Sequence, residues 1–244
     1  LLKPTGSLVL HHVPVWAFRA ASYLEERGLI FHRWVAWRAL SGWTTRRDDF
    51  RPEHYAFVWF SRGEGCKVRK VLTPHPRCAC CGEHSTDWGG KEQFRDEAGQ
   101  RMSDVWQLER AHHAGHKGRT SNELPVEAVL RWVLALTDPG DYVLDPTMGS
   151  GTTAAACALT GRRWGGVELV ADNLPGIRVK VALARGAREV AGDVDALAAD
   201  ARMALGNELA RAWGVENVAP LWLDRGREAA RKALDADLAT SQPR

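Results

Sequence analysis

The stretch that most constrains this chain is Asp141-Tyr-Val-Leu-Asp-Pro-Thr-Met-Gly-Ser-Gly-Thr-Thr153, followed by an Ala-rich run and Arg163-Trp-Gly-Gly-Val-Glu-Leu169. Tyr142 to Leu144 is a short apolar run that reads as a buried strand. Asp145-Pro146 ends it, because proline has no amide hydrogen and holds the preceding residue extended. Gly149, Ser150 and Gly151 predict a turn in which backbone approaches a ligand closely. From Thr152 onward, Ala154, Ala155, Ala156, Ala158 and Leu159 favour a helix whose N-terminus faces that turn. About twenty residues on, a second strand is expected to end at Glu168, whose carboxylate suits ribose hydroxyls. Strand, glycine turn, helix, strand and acid together predict an α/β unit for a nucleoside-bearing cofactor. The spacing is neither the dinucleotide fingerprint nor a phosphate loop, since no lysine follows the last glycine.

Asp145-Pro-Thr-Met-Gly-Ser-Gly-Thr-Thr153 resembles the Asp-Pro-Phe-x-Gly-Ser-Gly-Thr-Thr motif of amino-group DNA methyltransferases, with Thr147 where that family carries an aromatic residue. The resemblance implies S-adenosylmethionine as cofactor, held by Asp145, Pro146, Thr147, Met148, Gly149, Ser150, Gly151, Thr152, Thr153 and Glu168. It also implies an α/β fold, a Rossmann-like methyltransferase sheet with helices on both faces.

The start of the chain extends the resemblance. Leu2-Lys-Pro-Thr-Gly-Ser-Leu8 is similar to the family segment that enters the strand just after the catalytic motif. Strands are predicted over residues 7–13, 29–40 and 54–61, with a helix over 16–27 closed by Gly28. The last two strands would pair antiparallel across the polar loop 41–52. Glu53-His-Tyr-Ala-Phe-Val-Trp-Phe-Ser-Arg-Gly63 is similar to a family motif lining the target-base pocket. Tyr55 and Trp59 share one face of that strand and are candidate pocket residues.

Residues 62–115 lack periodicity and match the family's target-recognition region. Arg69, Lys70, Arg77, Lys91, Arg95 and Arg101 are candidate phosphate contacts, a source of affinity but not of sequence reading. Cys78-x-x-Cys81-Gly82 looks like half a zinc knuckle, so Cys78 and Cys81 are candidate zinc ligands, with Cys66, His75 or His84 needed to complete four. Asn122-Glu-Leu-Pro125 stands where the family has an element touching the methionine end of the cofactor, making Thr120, Asn122 and Leu124 candidate contacts. Thr120 or Ser121 is expected to cap a helix over 125–136. Beyond Glu168 the pattern predicts a helix over 173–185, a strand over 188–191, and Asp193 as a candidate partner of the adenine amino group. Residues 195–240 read as helix covering the sheet or an interface. The organisation is therefore a target-pocket half (1–61), a recognition region (62–115), a cofactor half (116–194) and a C-terminal helical segment (195–244).

One part is missing. The family sheet has seven strands, the fourth lying between the first and fifth and carrying an Asp/Asn/Ser-Pro-Pro-aromatic catalytic motif. This chain matches the fifth to seventh strands and then the first to third, and contains no such motif. The catalytic residues are thus unassigned. A longer parent with the strand ahead of Leu1 is expected; a strand from another chain, or direct pairing of first and fifth strands, are the alternatives. The order of parts is that of the β-type enzymes, which methylate N6 of adenine or N4 of cytosine on a flipped-out base. Without the motif, adenine and cytosine stay equal. Cytosine C5 chemistry needs a Pro-Cys nucleophile, and Cys157 lies inside the cofactor helix instead.

Composition agrees. Residues 1–120 carry 19 Lys/Arg against 13 Asp/Glu, net +6, and residues 121–244 carry 14 against 17, net −3. A basic half suits a polyanion, and double-stranded DNA is the expected partner. A homodimer and a cognate restriction endonuclease are candidate partners implied by the resemblance. No apolar run is long enough for a membrane span, and an odd count of 5 Cys suits a reducing, cytoplasmic setting. An RNA methyltransferase of the same fold, or a catalytically silent cofactor- and nucleic-acid-binding fragment, are the alternative functions.

Overall fold

Strand β3 (His54–Ser61) is apolar on both faces, a pattern suited to a strand covered on both sides. The computed structural model describes residues 2–39, 52–78, 80–83, 89–108 and 123–197. In it β3 lies between β1 (Ser7–His12) and β2 (Ile30–Ala39), antiparallel to both, as predicted for β2. Ala56, Val58 and Phe60 meet helix α1 (Pro14–Glu26) through Ala17 and Ala21, one turn apart. Phe57, with Tyr55 and Trp59, faces the opposite side.

The irregular region begins with a short hairpin, β4 (Leu72–Thr73) and β5 (Gln100–Arg101). It ends in β6 (Val105–Leu108), which joins the main sheet parallel to β2 and gives the order β1-β3-β2-β6. Trp106 and Leu108 point inward while Val105 and Gln107 point out, the period of a half-buried strand.

Helix α2 (Val126–Leu136) starts at Pro125, which takes the cap position expected of Thr120 or Ser121; those two lie outside the described residues. After it come β7 (Tyr142–Asp145), α3 (Thr152–Thr160), β8 (Arg163–Gly166) and α4 (Leu174–Ala191). β7 and β8 pair in parallel, as the cofactor unit requires. The strand expected at 188–191 does not form. Residues 186–191 continue α4, because buried Ala184, Gly186 and Ala187 carry its small-residue face on past Arg185, and Ala184 and Ala187 pack in one core with Ala154, Ala155 and Ala158 of α3. Residues 198–244, where further helix was expected, lie outside the described residues.

Among the described strands, β1 pairs only with β3 and β7 only with β8. Direct pairing of these two, one of the alternatives above, is not what the fold adopts. On β7, Tyr142 and Leu144 remain 55% and 45% exposed, while Val143 turns toward α2 and α3. No helix among the described residues is long and apolar enough to cross a membrane.

Arg162, just before β8, has a fully buried side chain. It donates to both carboxylate oxygens of Asp195 at 2.6 and 2.9 Å, and to Thr137. Arg69 also reaches Asp195, and lies 3.5 Å from Asp138. Burial alone would raise the Asp195 pKa, but hydrogen bonds and charge from Arg162 and Arg69 outweigh it and hold the carboxyl below its ordinary 3.8. Such a group stabilises the fold fully above its unfolded pKa, and that contribution is lost as pH falls through the lowered folded value. Asp195→Asn is therefore expected to destabilise the fold at neutral pH by about 3–5 kcal/mol, since it strands a buried guanidinium. Urea denaturation should show the gap from the parent protein narrowing below about pH 4.

Candidate functional site

The glycine turn is built by its neighbours. Asp145 Oδ1 accepts from the Thr147 amide at 2.9 Å and from its hydroxyl at 3.4 Å, a local bond that turns the chain as β7 ends. Gly149 and Gly151 then take φ of +51° and +81°, a backbone region costly for other residues. Gly151 is also held close: a Cβ there would meet Ile177 of α4 at 2.8 Å. Met148 donates its amide to Val167 at 2.9 Å and buries its side chain over Gly166 in the core, so its contribution to the turn is backbone. Pro146 and Thr147 are exposed, while Ser150 and Thr153 are half-buried at the start of α3.

Gly151 caps α3 without any side-chain bond, leaving the first amides of that helix to point into the turn. Glu168 stands beyond the end of β8, two residues later than the strand itself. Its Oε1 accepts from the Val170 amide at 2.8 Å and from Asn173 at 3.2 Å, which fixes the carboxylate while Oε2 takes part in neither bond.

A second feature adjoins the turn. Thr152 donates to the Leu124 carbonyl at 3.3 Å and shares a 3.3 Å hydroxyl contact with Ser150. The Leu124 side chain packs against the aromatic cluster of the main sheet and also against the core between α2 and α3. Glu123, beside it, is buried and paired with Lys180 of α4. That segment therefore links the glycine turn to the aromatic face. On that face Tyr55 stacks on Trp37 with ring centroids 5.2 Å apart. Trp59 is pinned differently, stacked on His32 at 4.3 Å and donating to Ser7 at 3.1 Å.

Sequence reasoning overlooked His11. It lies at the C-terminal end of β1, with its ring 4.7 Å from Phe57, 5.2 Å from Tyr55 and 5.7 Å from Trp37. Burial, aided by the neighbouring His12, lowers its pKa from 6.5 to about 4, so it is neutral at physiological pH. Two consecutive histidines closing an otherwise apolar strand were the available signal.

Other expected sites come apart. Asp193 follows α4 and lies two residues from Asp195, the partner of Arg162 at the start of β8. It is thus at the opposite end of β8 from the glycine turn, carried there by the extra turns of α4, and does not face the adenine site assigned to it. Arg69 is committed to Asp138 and Asp195 and is not a free phosphate contact. Among the described residues no group of three or more His, Cys, Asp or Glu is arranged to hold a metal ion. Cys66 lies 3.5 Å from His32, and His75 meets the Asp96 carbonyl at 2.7 Å, so two of the expected completing ligands are engaged elsewhere. His84, Thr120 and Asn122 lie outside the described residues.

A parallel β7–β8 unit, an antiparallel β1-β3-β2 sheet and helices on both faces make this a Rossmann-like methyltransferase fold. It is similar to the M1.HpyAVI–SAM complex (TM-score 0.52, 17% identity, 73% of this chain and 76% of that one). It is also similar to the cytosine-N4-specific PvuII DNA methyltransferase (TM-score 0.50, 17% identity, 88% and 72%). The chain belongs to the N6/N4 DNA methylase family, whose model matches residues 1–174. It is 34% identical over 171 residues to the type II methyltransferase M.BamHI of Bacillus amyloliquefaciens, covering 69% of this chain and 40% of that protein. It is 26% identical over 182 residues to M1.MboII of Moraxella bovis, covering 70% of each.

Gly151→Ala should destabilise more than Gly149→Ala. Both pay the positive-φ penalty of about 1–2 kcal/mol, but a methyl group at 151 also collides with Ile177, while at 149 the nearest atom is a carbonyl oxygen 3.9 Å away. Chemical denaturation of the two variants checks the order. At the cysteines, backbone amides of Cys81 and Cys80 directed at its sulfur lower the Cys78 thiol to about 7, whereas burial pushes Cys157 up to about 12. Iodoacetamide should label Cys78 with a half-maximal rate near pH 7 and spare Cys157 in the folded protein, as read by peptide mass.

Proposed function

We propose that this chain forms the cofactor and target-pocket parts of a DNA methyltransferase that moves a methyl group from S-adenosylmethionine to an exocyclic amine, N6 of adenine or N4 of cytosine, in double-stranded DNA. The observation that carries the reading is the junction at Leu124. Its carbonyl is tied to the glycine turn and its side chain to the aromatic face, so a cofactor and an extrahelical base would meet there. Membership of the N6/N4 DNA methylase family and likeness to type II methyltransferases support the same reaction. The type II relatives also support a setting with a cognate restriction endonuclease.

The residues fit the cofactor. Space is open beside Gly149, where a Cβ would meet only one atom within 4 Å, and the uncapped amides of α3 face it. Asp145 to Thr153 would line the methionine side, and Glu168, with one oxygen anchored, would present the other to ribose hydroxyls. Bound there, S-adenosylmethionine supplies a methyl group on a positively charged sulfur. The chain's own share is positioning: the turn fixes one reactant and the aromatic face stacks the flipped base beside it.

The catalytic motif belongs to neither part. Among the described strands β1 and β7 are each paired on one side, which supports a further strand between them, carrying the Asp/Asn/Ser-Pro-Pro-aromatic motif that this sequence does not contain.

Calorimetry with S-adenosylmethionine tests the cofactor site directly. The chain is expected to bind, and Glu168→Ala to weaken binding by about tenfold or more through loss of charge-assisted hydrogen bonds. Absence of binding by the parent chain would refute the assignment of Asp145–Thr153. Transfer of labelled methyl to unmethylated genomic DNA is expected only once a strand bearing the motif is restored, and preference for structured RNA would select the alternative substrate.

A further inference from the structure

The Nε2 atom of His11 is buried and has no hydrogen-bond partner among the described residues. Leaving a buried polar atom unsatisfied is costly, and natural folds retain few such groups without a use for them. This one sits among rings, with Phe57, Tyr55 and Trp37 within 4.7 to 5.7 Å of its own. His11 as a whole is half-buried, as is Tyr55, so the cluster reaches the surface at the end of β1 and the start of β3. Trp37 is locked by a bond from its indole nitrogen to the Leu108 carbonyl at 3.0 Å, which makes it a fixed wall.

We propose that His11 is a specificity-determining residue of the target-base pocket, its Nε2 forming a hydrogen bond with the polar edge of an extrahelical base that lies against Tyr55, with the buried Trp37 behind it. The inference rests on the base-pocket reading above and adds the group that reads the base. Stacking alone tolerates every base, because each has a π-face. Discrimination needs a directional polar partner, and a site built around one rejects analogues that leave it unpaired. Trp132 Nε1, deeper in the same aromatic core, also lacks a partner among the described residues, but an indole nitrogen can only donate, whereas the imidazole of His11 can accept and lies on a residue that is half-buried. Being neutral, it can carry its proton on Nδ1 and present Nε2 as an acceptor for an exocyclic amine, which adenine and cytosine carry and thymine replaces with a carbonyl.

The test uses the 244-residue protein labelled with nitrogen-15 at histidine, titrated separately with the amine-bearing 2′-deoxyadenosine and 2′-deoxycytidine 5′-monophosphates and with thymidine 5′-monophosphate, with tryptophan fluorescence as a second readout. The expected result is tighter binding of the amine-bearing nucleotides than of thymidine 5′-monophosphate, with a shift of the His11 Nε2 resonance. His11→Phe keeps the ring and removes the nitrogen. It should raise the thermal midpoint by removing an unsatisfied buried group, weaken the preferred nucleotides about tenfold, and erase the preference. His11→Gln, which restores a donor and an acceptor, should recover part of the preference. Nucleotide binding and preference that survive in His11→Phe would overturn the role of His11 and leave the pocket reading intact. Failure of the parent protein to bind any of the nucleotides would overturn the pocket reading, and this inference with it.

Discussion

Helix α2 is the element on which the described structure depends. Nine of its residues are buried, on every side of the helix. Ala128 and Trp132 pack against the aromatic sheet, Val129 and Val133 against α3, and Leu130 and Leu134 against the core shared with α4. Its polar pair, Glu127 and Arg131, is joined at 3.0 Å and nearly buried, so the helix keeps no solvated face and has no stable place at a surface. It therefore fixes the distance between the sheet that carries Tyr55 and the helix that follows the glycine turn. Whatever binds at the two features inherits its spacing from this one helix.

Side-chain size on α3 sets how closely the cofactor unit closes around it. Ala154, Ala155, Ala156 and Ala158 are all buried, and small residues let α2 and α4 approach on two sides. Gly151 continues the same logic into the turn, where Ile177 occupies the volume a side chain would need. α4 thus holds the turn from behind, and Lys180 on the same helix holds Glu123, next to Leu124. Turn and linking segment are braced by one element. This is how a flexible, glycine-containing loop keeps a defined shape.

Much of this was legible in the sequence because it rests on local signals. The strand at His54–Ser61, the glycine turn and the start of α3 follow from period, proline and glycine. What was not legible rests on partners distant in the chain. Arg69 read as a phosphate contact because its partner Asp195 lies 126 residues away. Val105–Leu108 was too short for periodicity to mark it, and becomes a strand only beside β2. The run from Gly186 to Ala191 contains a glycine and a β-branched valine, which locally argue against helix, but packing against α3 overrides them. His11 looked like one more strand residue until its rings and missing partner were seen together.

The ion pairs of the irregular region after β3 also separate by burial, and burial decides which charges stay exchangeable. Lys70 and Asp96 lie 3.5 Å apart with both side chains about half exposed, a contact worth little in water and readily exchanged for a phosphate. Arg69 differs, because Asp195 is only 9% exposed and is shared with the buried Arg162. Drawing Arg69 away would weaken a network whose removal costs several kcal/mol. The net +6 of residues 1–120 therefore overstates the charge left exchangeable, since Arg69 ties the irregular region to Asp138 and Asp195 instead. The base of that region is held by electrostatics, and its exchangeable charges are the exposed ones such as Lys70.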